Sequence, residues 1–242
     1  MLLRTIRAEV LKCRRAPVWL AFLVLPAFPA VLGTFNYLGN LEVLEDQWYS
    51  LWSQHTLFSS MFFLPALLGV FCAWQWRLEH TDHNWNAALT APVPVGTLYL
   101  AKLAVDAVVS LLAMAFIGVL FVLSGKLAGI TAPLPPELPR WLLFGALGGV
   151  VVCAVQLFFS LVIRAFAPPV AMALVGGVFG LMVTSQGWGT AFPYSLLALG
   201  MAANNPRMEL PLPAFLAGCA VYLALAAALS IRWLSRRDVS TA

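Results

Sequence analysis

Long apolar runs separated by short polar segments dominate the chain, and their length predicts its architecture. A helix that crosses the hydrocarbon core of a bilayer needs about 20 apolar residues, and six segments reach that length. Trp or Tyr residues stand at several of their ends, as they do at membrane interfaces. The predicted spans are residues 18–37, 57–76, 98–123, 141–163, 170–188 and 214–234.

Residues 1–16 predict a shorter helix of a different kind. Apolar residues share one side of its helical wheel, and mostly charged residues lie opposite. The apolar side holds Leu2, Leu3, Ile6, Val10 and Cys13, and the charged side holds Arg4, Glu9, Lys12 and Arg15. A basic amphipathic helix lies in the membrane interface. We therefore expect an interfacial helix before the first span, the alternative being a charge cluster that only directs insertion.

Composition supports a membrane protein. Hydrophobic residues make up 62% of the chain and charged residues 10%, and the mean hydropathy is +0.88. A soluble domain of this size could not cover so much apolar surface, and long helical runs do not fit a membrane β-barrel. The predicted fold class is an all-α polytopic membrane protein, with residues 1–242 forming a single transmembrane domain.

The placement of the basic residues predicts the orientation. With six spans, eleven Lys and Arg residues fall on the side of both termini and three on the other side. Cytoplasmic loops carry such an excess, so both termini should be cytoplasmic and the protein should lie in the inner membrane of the cell. The net charge of +4 is modest and does not indicate a nucleic-acid partner.

The segments on the outer side are short and differ in character. Residues 38–56 are acidic and aromatic, and residues 125–139 are rich in proline. Residues 194–203 are apolar but too short for a seventh span. They predict an interfacial or re-entrant helix.

No signature of catalysis or nucleotide binding occurs in the sequence. The phosphate-binding pattern G-x-x-x-x-G-K-[ST] is absent, as are common hydrolase motifs. The four cysteines stand far apart and form no CxxC pair, so neither a disulfide framework nor a zinc site is indicated. We expect a protein that is not an enzyme and holds no cofactor or metal.

One polar stretch, Arg77–Lys102, interrupts the apolar pattern and predicts a docking surface on the cytoplasmic side. It holds two of the three histidines and two of the ten carboxylates. His80 and His83 are three residues apart and could face the same way on a helix. A third metal ligand at matched spacing is not evident, so an interaction helix is favoured over a metal site.

Asp106 lies inside the third predicted span, four residues after Lys102. An i,i+4 ion pair would lower the cost of burying both groups. A proton or cation site at Asp106 is the functional alternative. The pairs Gly145/Gly149 and Gly176/Gly180 have the small-xxx-small spacing that permits close helix contact.

The order of these features resembles the ABC-2 class of ABC exporter permeases, and most closely the small permeases of lantibiotic and bacitracin self-protection. Three segments carry the resemblance: LLRTIRAEVLKCRRAPVW at Leu2–Trp19, TAPVP at Thr90–Pro94 and LYLAK at Leu98–Lys102. The resemblance implies a coupling helix around Glu79–Leu89 that rests on a separate ATPase subunit. It also implies a second, smaller contact at the Arg164–Pro169 turn.

The resemblance further implies the partners. A P-loop ATPase would bind ATP on its own subunit, and a second copy or a related permease would complete the pair within the lipid bilayer. The expected coupling residues are Glu79, His80, Asp82, His83, Trp85, Leu89 and Arg164.

We therefore expect an exporter permease for an amphipathic peptide, antibiotic or lipid-like substrate. Two alternatives stay open. One is an ion-coupled secondary transporter that uses Asp106. The other is a haem-handling membrane protein, considered because the chain holds nine tryptophans and the string Trp188-Gly-Thr. The rest of a tryptophan-rich haem motif is absent, and His55 is the only histidine on the outer side.

Overall fold

The computed structural model describes residues 1–81, 84–85 and 92–236, and the regular structure within them is helical. We number its main helices α1 to α9 in chain order. They are α1 Leu2–Cys13, α2 Val18–Gly39, α3 Gln47–Phe58, α4 Leu64–His80, α5 Val95–Leu127, α6 Leu138–Val162, α7 Ala167–Ser185, α8 Ser195–Gly200 and α9 Leu212–Arg236. A π-helical turn, Ser59–Phe63, joins α3 to α4 without a break.

Six helical segments are long and apolar enough to cross a membrane, which confirms the predicted number of spans. Five of them begin and end within about four residues of the predicted boundaries, the usual error of such assignments. The second is much longer than predicted, because Gln47–His80 forms one helical segment of 34 residues.

The predicted outer loop at residues 38–56 is therefore wrong from Gln47 onward. Polar residues such as Ser53 and His55 lower the hydropathy of this stretch, which hid its helix from the sequence pattern. The helix forms because Trp48, Leu51 and Trp52 are buried against neighbouring spans. Trp52 stacks on Trp141 of α6 with ring centres 5.1 Å apart.

Helix α1 is present, but its packing differs from the predicted amphipathic pattern. Thr5, Glu9 and Cys13, spaced four residues apart, form the buried stripe. The predicted apolar side is largely exposed, and Leu3 and Val10 are among its exposed members. An apolar side left exposed is compatible with lipid contact, and the interfacial position of α1 stays a prediction.

Residues 195–203 lie inside the bundle rather than on its surface. The short helix α8 and the turn residues that follow it are buried as far as Ala203. Glycines allow this close approach: a Cβ on Gly148 of α6 would lie 2.5 Å from the Leu196 carbonyl oxygen. Trp52 Nε1 donates a 2.9 Å hydrogen bond to the Met201 carbonyl oxygen. This bond satisfies a backbone acceptor inside the bundle.

The glycine pairs singled out in the sequence pack against other parts of this chain. Gly149 faces Ser110 of α5, and both Gly176 and Gly180 of α7 face Tyr194 at the start of α8. Small residues thus bring helices together at closely packed crossings.

Two ends of the bundle can be distinguished by their contacts. At one end α4 finishes at His80, α5 begins at Val95 and α6 finishes at Val162, and we call it the basic end. At the opposite end Tyr49 donates a hydrogen bond to Glu137, with the two oxygens 2.8 Å apart.

We expect Gly148→Ala to lower the stability of the protein by about 1–3 kcal/mol, the usual effect of overpacking. The added methyl group would meet the backbone of α8, which has no room to move inside the bundle. Gly39→Ala is the matched control, because a Cβ there meets nothing within 4 Å. Thermal unfolding in detergent measures both, and equal unfolding temperatures would contradict the tight α6–α8 contact.

Candidate functional site

Four charged side chains meet at the basic end, and we call them the ion cluster. They come from three helices that are far apart in the sequence. The members are Glu9 and Lys12 of α1, Glu79 of α4 and Lys102 of α5. The cluster therefore joins α1 to the two helices that flank residues 81–94.

The ammonium groups of the two lysines each contact both glutamates. Lys102 Nζ lies 2.7 Å from Glu9 Oε2 and 3.0 Å from Glu79 Oε1. Lys12 Nζ lies 2.7 Å from Glu9 Oε1 and 2.6 Å from Glu79 Oε1. Two positive and two negative charges alternate, so the cluster has no formal net charge.

Three of the four charged side chains in the ion cluster are buried. Lys102 is 0% exposed and the two glutamates are 2% exposed, whereas the Lys12 side chain is 36% exposed. Lys102 also donates a 3.1 Å hydrogen bond to the Gln75 carbonyl and lies 4.7 Å from the ring centre of Trp76. A buried ion without such partners costs several kcal/mol, so each member requires the others.

The α1 members of the cluster have shifted acidities. Burial by itself raises the pKa of the Glu9 carboxyl, but Lys102 and Lys12 outweigh it and hold the pKa below its ordinary 4.5. Burial by itself lowers the pKa of the Lys12 ammonium, but Glu79 and Glu9 outweigh it and raise the pKa above its ordinary 10.5. Both groups are therefore charged at neutral pH.

The predicted i,i+4 ion pair of Lys102 with Asp106 is corrected by these contacts. Lys102 turns toward the basic end, where two carboxylates from other helices reach its ammonium group. Asp106 is fully buried and instead accepts hydrogen bonds from Cys72 and from the Gln75 amide. The side chains of Lys102 and Asp106 thus belong to two separate polar groups along α5.

His55, the histidine of the haem hypothesis, is buried inside the bundle. Its Nε2 lies 2.9 Å from Thr34 Oγ1, and its ring packs against Phe121. These contacts give His55 a packing role between α2, α3 and α5.

Aromatic side chains fix the start of the polar stretch beside the ion cluster. Trp85 stacks on Trp76 with ring centres 5.6 Å apart. Trp85 Nε1 donates a 3.0 Å hydrogen bond to His80 Nδ1, and His80 Nε2 lies 3.1 Å from the Ser160 carbonyl. A histidine that accepts at Nδ1 and donates at Nε2 is neutral. His80 therefore links α4 to α6 as a neutral side chain.

The turn that connects α6 to α7 lies against the same end of α4. The Arg77 guanidinium lies 5.7 Å from the ring centre of Phe166, which is a cation–π contact. Arg164, in this turn, is exposed. The turn that holds Arg164 thus lies beside the end of α4, where the first predicted contact region begins.

The structure divides the predicted coupling residues into groups. Glu79 and Trp85 are buried and His80 is half-buried, so these three hold the surface in place and present little area to a partner. Asp82, His83 and Leu89 lie outside the described residues. Glu79 is only 2% exposed, so its side chain offers little surface for direct contact, and its role in coupling stays a prediction.

Sequence reasoning missed Glu9, Lys12, Gln75 and Trp76 as members of the site. The one available signal was local: Glu9 and Lys12 are three residues apart on one side of α1, as an ion pair on a helix would be. Nothing local indicates that Glu79 and Lys102, 67 and 93 residues away from their α1 partners, complete the cluster.

Comparison with known families gives one match. The family model described as "ABC-2 family transporter protein" matches residues 5–180, or 176 of the 242 residues of the chain. The matched region includes all four members of the ion cluster and the turn that holds Arg164. No curated protein matches the chain.

We expect Lys102→Met to destabilise the protein by about 3–5 kcal/mol, because it leaves buried carboxylates without their central cation. Adding Glu79→Gln to this variant should restore part of the loss by removing one of those charges. Thermal unfolding in detergent measures the effect. Asp46→Asn, which breaks the exposed ion pair with Arg207, is the control and should change little. A Lys102 variant as stable as this control would contradict the importance of the cluster.

Glu9→Gln should change how the stability of the protein depends on pH. A carboxyl whose pKa is lowered on folding contributes stability above its unfolded value of 4.5, and this contribution is lost as the pH falls through the lower folded pKa. The variant should be less stable than the wild type at neutral pH. Below pH 4.5 its stability should fall less steeply with decreasing pH than that of the wild type. Unfolding temperatures measured across this range test it. Glu42→Gln, at an exposed acid, should retain the wild-type profile.

Proposed function

The chain belongs to the ABC-2 family of transporter proteins, and we propose that it is an exporter permease that works through a separate ATPase. Membership makes it a multi-pass membrane subunit of an ABC transporter, a class in which ATP is bound by a different domain. What remains to be proposed is the substrate of this subunit and the route by which ATP hydrolysis on the partner drives its movement.

The ion cluster is the observation that carries the coupling proposal. The polar segment of residues 81–94 is attached at both ends to helices that the cluster joins: α4 through Glu79 and α5 through Lys102. A partner that pushes on this segment therefore acts on both helices together. Because Glu9 and Lys12 belong to the same cluster, α1 is drawn into the same motion.

In this proposal, residues within 82–91 contact the ATPase directly. Asp82, His83 and Leu89 would provide that contact, while His80 and Trp85 hold the base of the segment against α4 and α6. The turn with Arg164 would make the smaller second contact. Phe166 of this turn packs against Arg77, which is three residues before the end of α4.

The proposed orientation places the basic end in the cytoplasm of the cell, with the protein in the inner membrane. The excess of Lys and Arg on this side supports it. An ATPase that docks there would have access to cytoplasmic ATP. Two permeases, either identical or related, would pair with two ATPases.

For the substrate we propose an amphipathic peptide, an antibiotic or a lipid-like molecule. A cavity of about 370 Å³ between α1, the start of α2 and α5 is lined almost entirely by apolar groups, including Val10, Trp19 and Val109, with Arg14 at its edge. Such a lining favours an apolar chain over a sugar or an ion. Self-protection follows as a hypothesis: a host that expresses both subunits should survive more lantibiotic than one that lacks them.

We expect the ATPase to co-purify with this chain from detergent, and the pair Asp82→Arg with Leu89→Asp to abolish the association. These changes reverse a charge and insert another in the proposed contact. Glu209→Arg is the matched control, because Glu209 is exposed in the segment before α9. The control should bind the ATPase as the wild type does.

The variant Glu79→Gln tests whether binding of the ATPase can be separated from the effect of the membrane subunit on ATP hydrolysis. Glu79 is buried, so the variant should still bind the ATPase but should lose the effect of the membrane subunit on the rate of ATP hydrolysis. Full transport by the isolated chain in liposomes without ATP would overturn the proposal. So would unchanged ATPase binding after the changes at Asp82 and Leu89.

A further inference from the structure

A second polar group lies deeper in the bundle than the ion cluster, and the coupling site does not use it. Cys72 of α4, Asp106 of α5 and Cys153 of α6 are each fully buried. One ligand atom from each lies within 4.8 Å of the others. The three residues are far apart in the sequence, and the fold alone brings them together.

We propose that these three side chains bind a zinc ion that holds α4, α5 and α6 together. Zinc is bound in proteins by thiolates and carboxylates in a tetrahedral arrangement. Thiolate ligands disfavour magnesium and calcium, and the carboxylate makes the set harder than one that copper(I) prefers. Two sulfurs and one oxygen therefore fit zinc best.

The distances agree with this assignment. Ligand atoms bound tetrahedrally at about 2.0–2.3 Å lie roughly 3.3–3.8 Å from one another. The Cys72 thiol lies 3.4 Å from Asp106 Oδ2, which is within this range, and all three ligand atoms lie within 4.8 Å of one another. Binding releases the thiol protons, because thiolates are the metal ligands.

Gln75 provides the independent observation. Its amide nitrogen donates a hydrogen bond to Asp106, and Gln75 is 1% exposed. Its Oε1 is buried and has no hydrogen-bond partner among the described residues. An unpaired carbonyl oxygen beside three metal-ligand side chains points to a cation, either as its fourth ligand or through a water molecule. The bond to Asp106 would also orient the carboxylate, as outer contacts do at metal sites.

The three ligands lie at similar distances from the basic end. Cys72 is eight residues before the end of α4, Asp106 is eleven residues after the start of α5, and Cys153 is nine residues before the end of α6. At about 1.5 Å per residue, the site lies roughly 12–17 Å from these helix ends. All three ligands belong to helical segments that are long and apolar enough to cross a membrane.

The test measures metal in the full-length protein, purified in detergent through a tag without histidine. After exposure to zinc and washing with a weak chelator, the wild type should retain one zinc ion per chain. Cys72→Ser, Cys153→Ser and Asp106→Asn should each lose it. Gln75→Ala should weaken zinc binding about 10- to 100-fold, the usual effect of removing an outer contact.

Cys219→Ser is the matched control and should retain zinc. Cys219 is a buried cysteine of α9 that lies outside the group. Zinc should also raise the unfolding temperature of the wild type and of this control, but not that of Cys72→Ser.

Cobalt(II) in place of zinc gives a direct signature in the wild type, even if a ligand variant fails to fold. The near-ultraviolet charge-transfer absorption of cobalt bound to thiolates should appear. Its absence would overturn the proposal, and so would equal zinc retention in the double variant Cys72→Ser with Cys153→Ser. None of these measurements involves an ATPase, so their result is independent of the proposed coupling.

Discussion

The cost of placing charge where water cannot reach it is the constraint on which the basic end of this protein depends. Lys102 is wholly buried, and its ammonium group pairs with Glu9 and Glu79, which come from two other helices. Removing any one of these partners leaves an uncompensated ion in a medium of low dielectric constant. The positions of α1, α4 and α5 are therefore interdependent, and the proposed coupling depends on this interdependence.

Away from that end, the bundle is held by close backbone approach and aromatic packing. Lipid offers no hydrophobic drive for one helix to associate with another, so contact area and satisfied hydrogen bonds must provide the attraction. Gly148 lets α8 pack directly on α6, and Trp52 satisfies the Met201 carbonyl after that helix ends. The same logic explains how a segment too short to cross a membrane can lie inside the bundle, since its polar groups face protein.

Sequence-based prediction failed where a polar residue had a distant partner. The i,i+4 spacing favoured a Lys102–Asp106 pair because spacing along a helix is all that a sequence displays. In the structure, Lys102 meets Glu9 across 93 residues of chain, and Asp106 meets Cys72 across 34. Burial is also hidden from a local pattern. A polar residue such as Glu79 is expected at the surface, and only its neighbours in the fold show that it faces inward.

The sequence by itself determined the class of protein, the number of its spans and the place of its polar segment. Each follows from a local requirement: a span needs a continuous apolar run, so hydropathy along the chain reveals it. Only the tertiary structure decided which charges pair, that Glu79 faces inward toward Lys102, and that Cys72, Asp106 and Cys153 meet. Those outcomes depend on which helices become neighbours. Helix neighbours are fixed by packing across the whole bundle, and no short stretch of sequence contains that information.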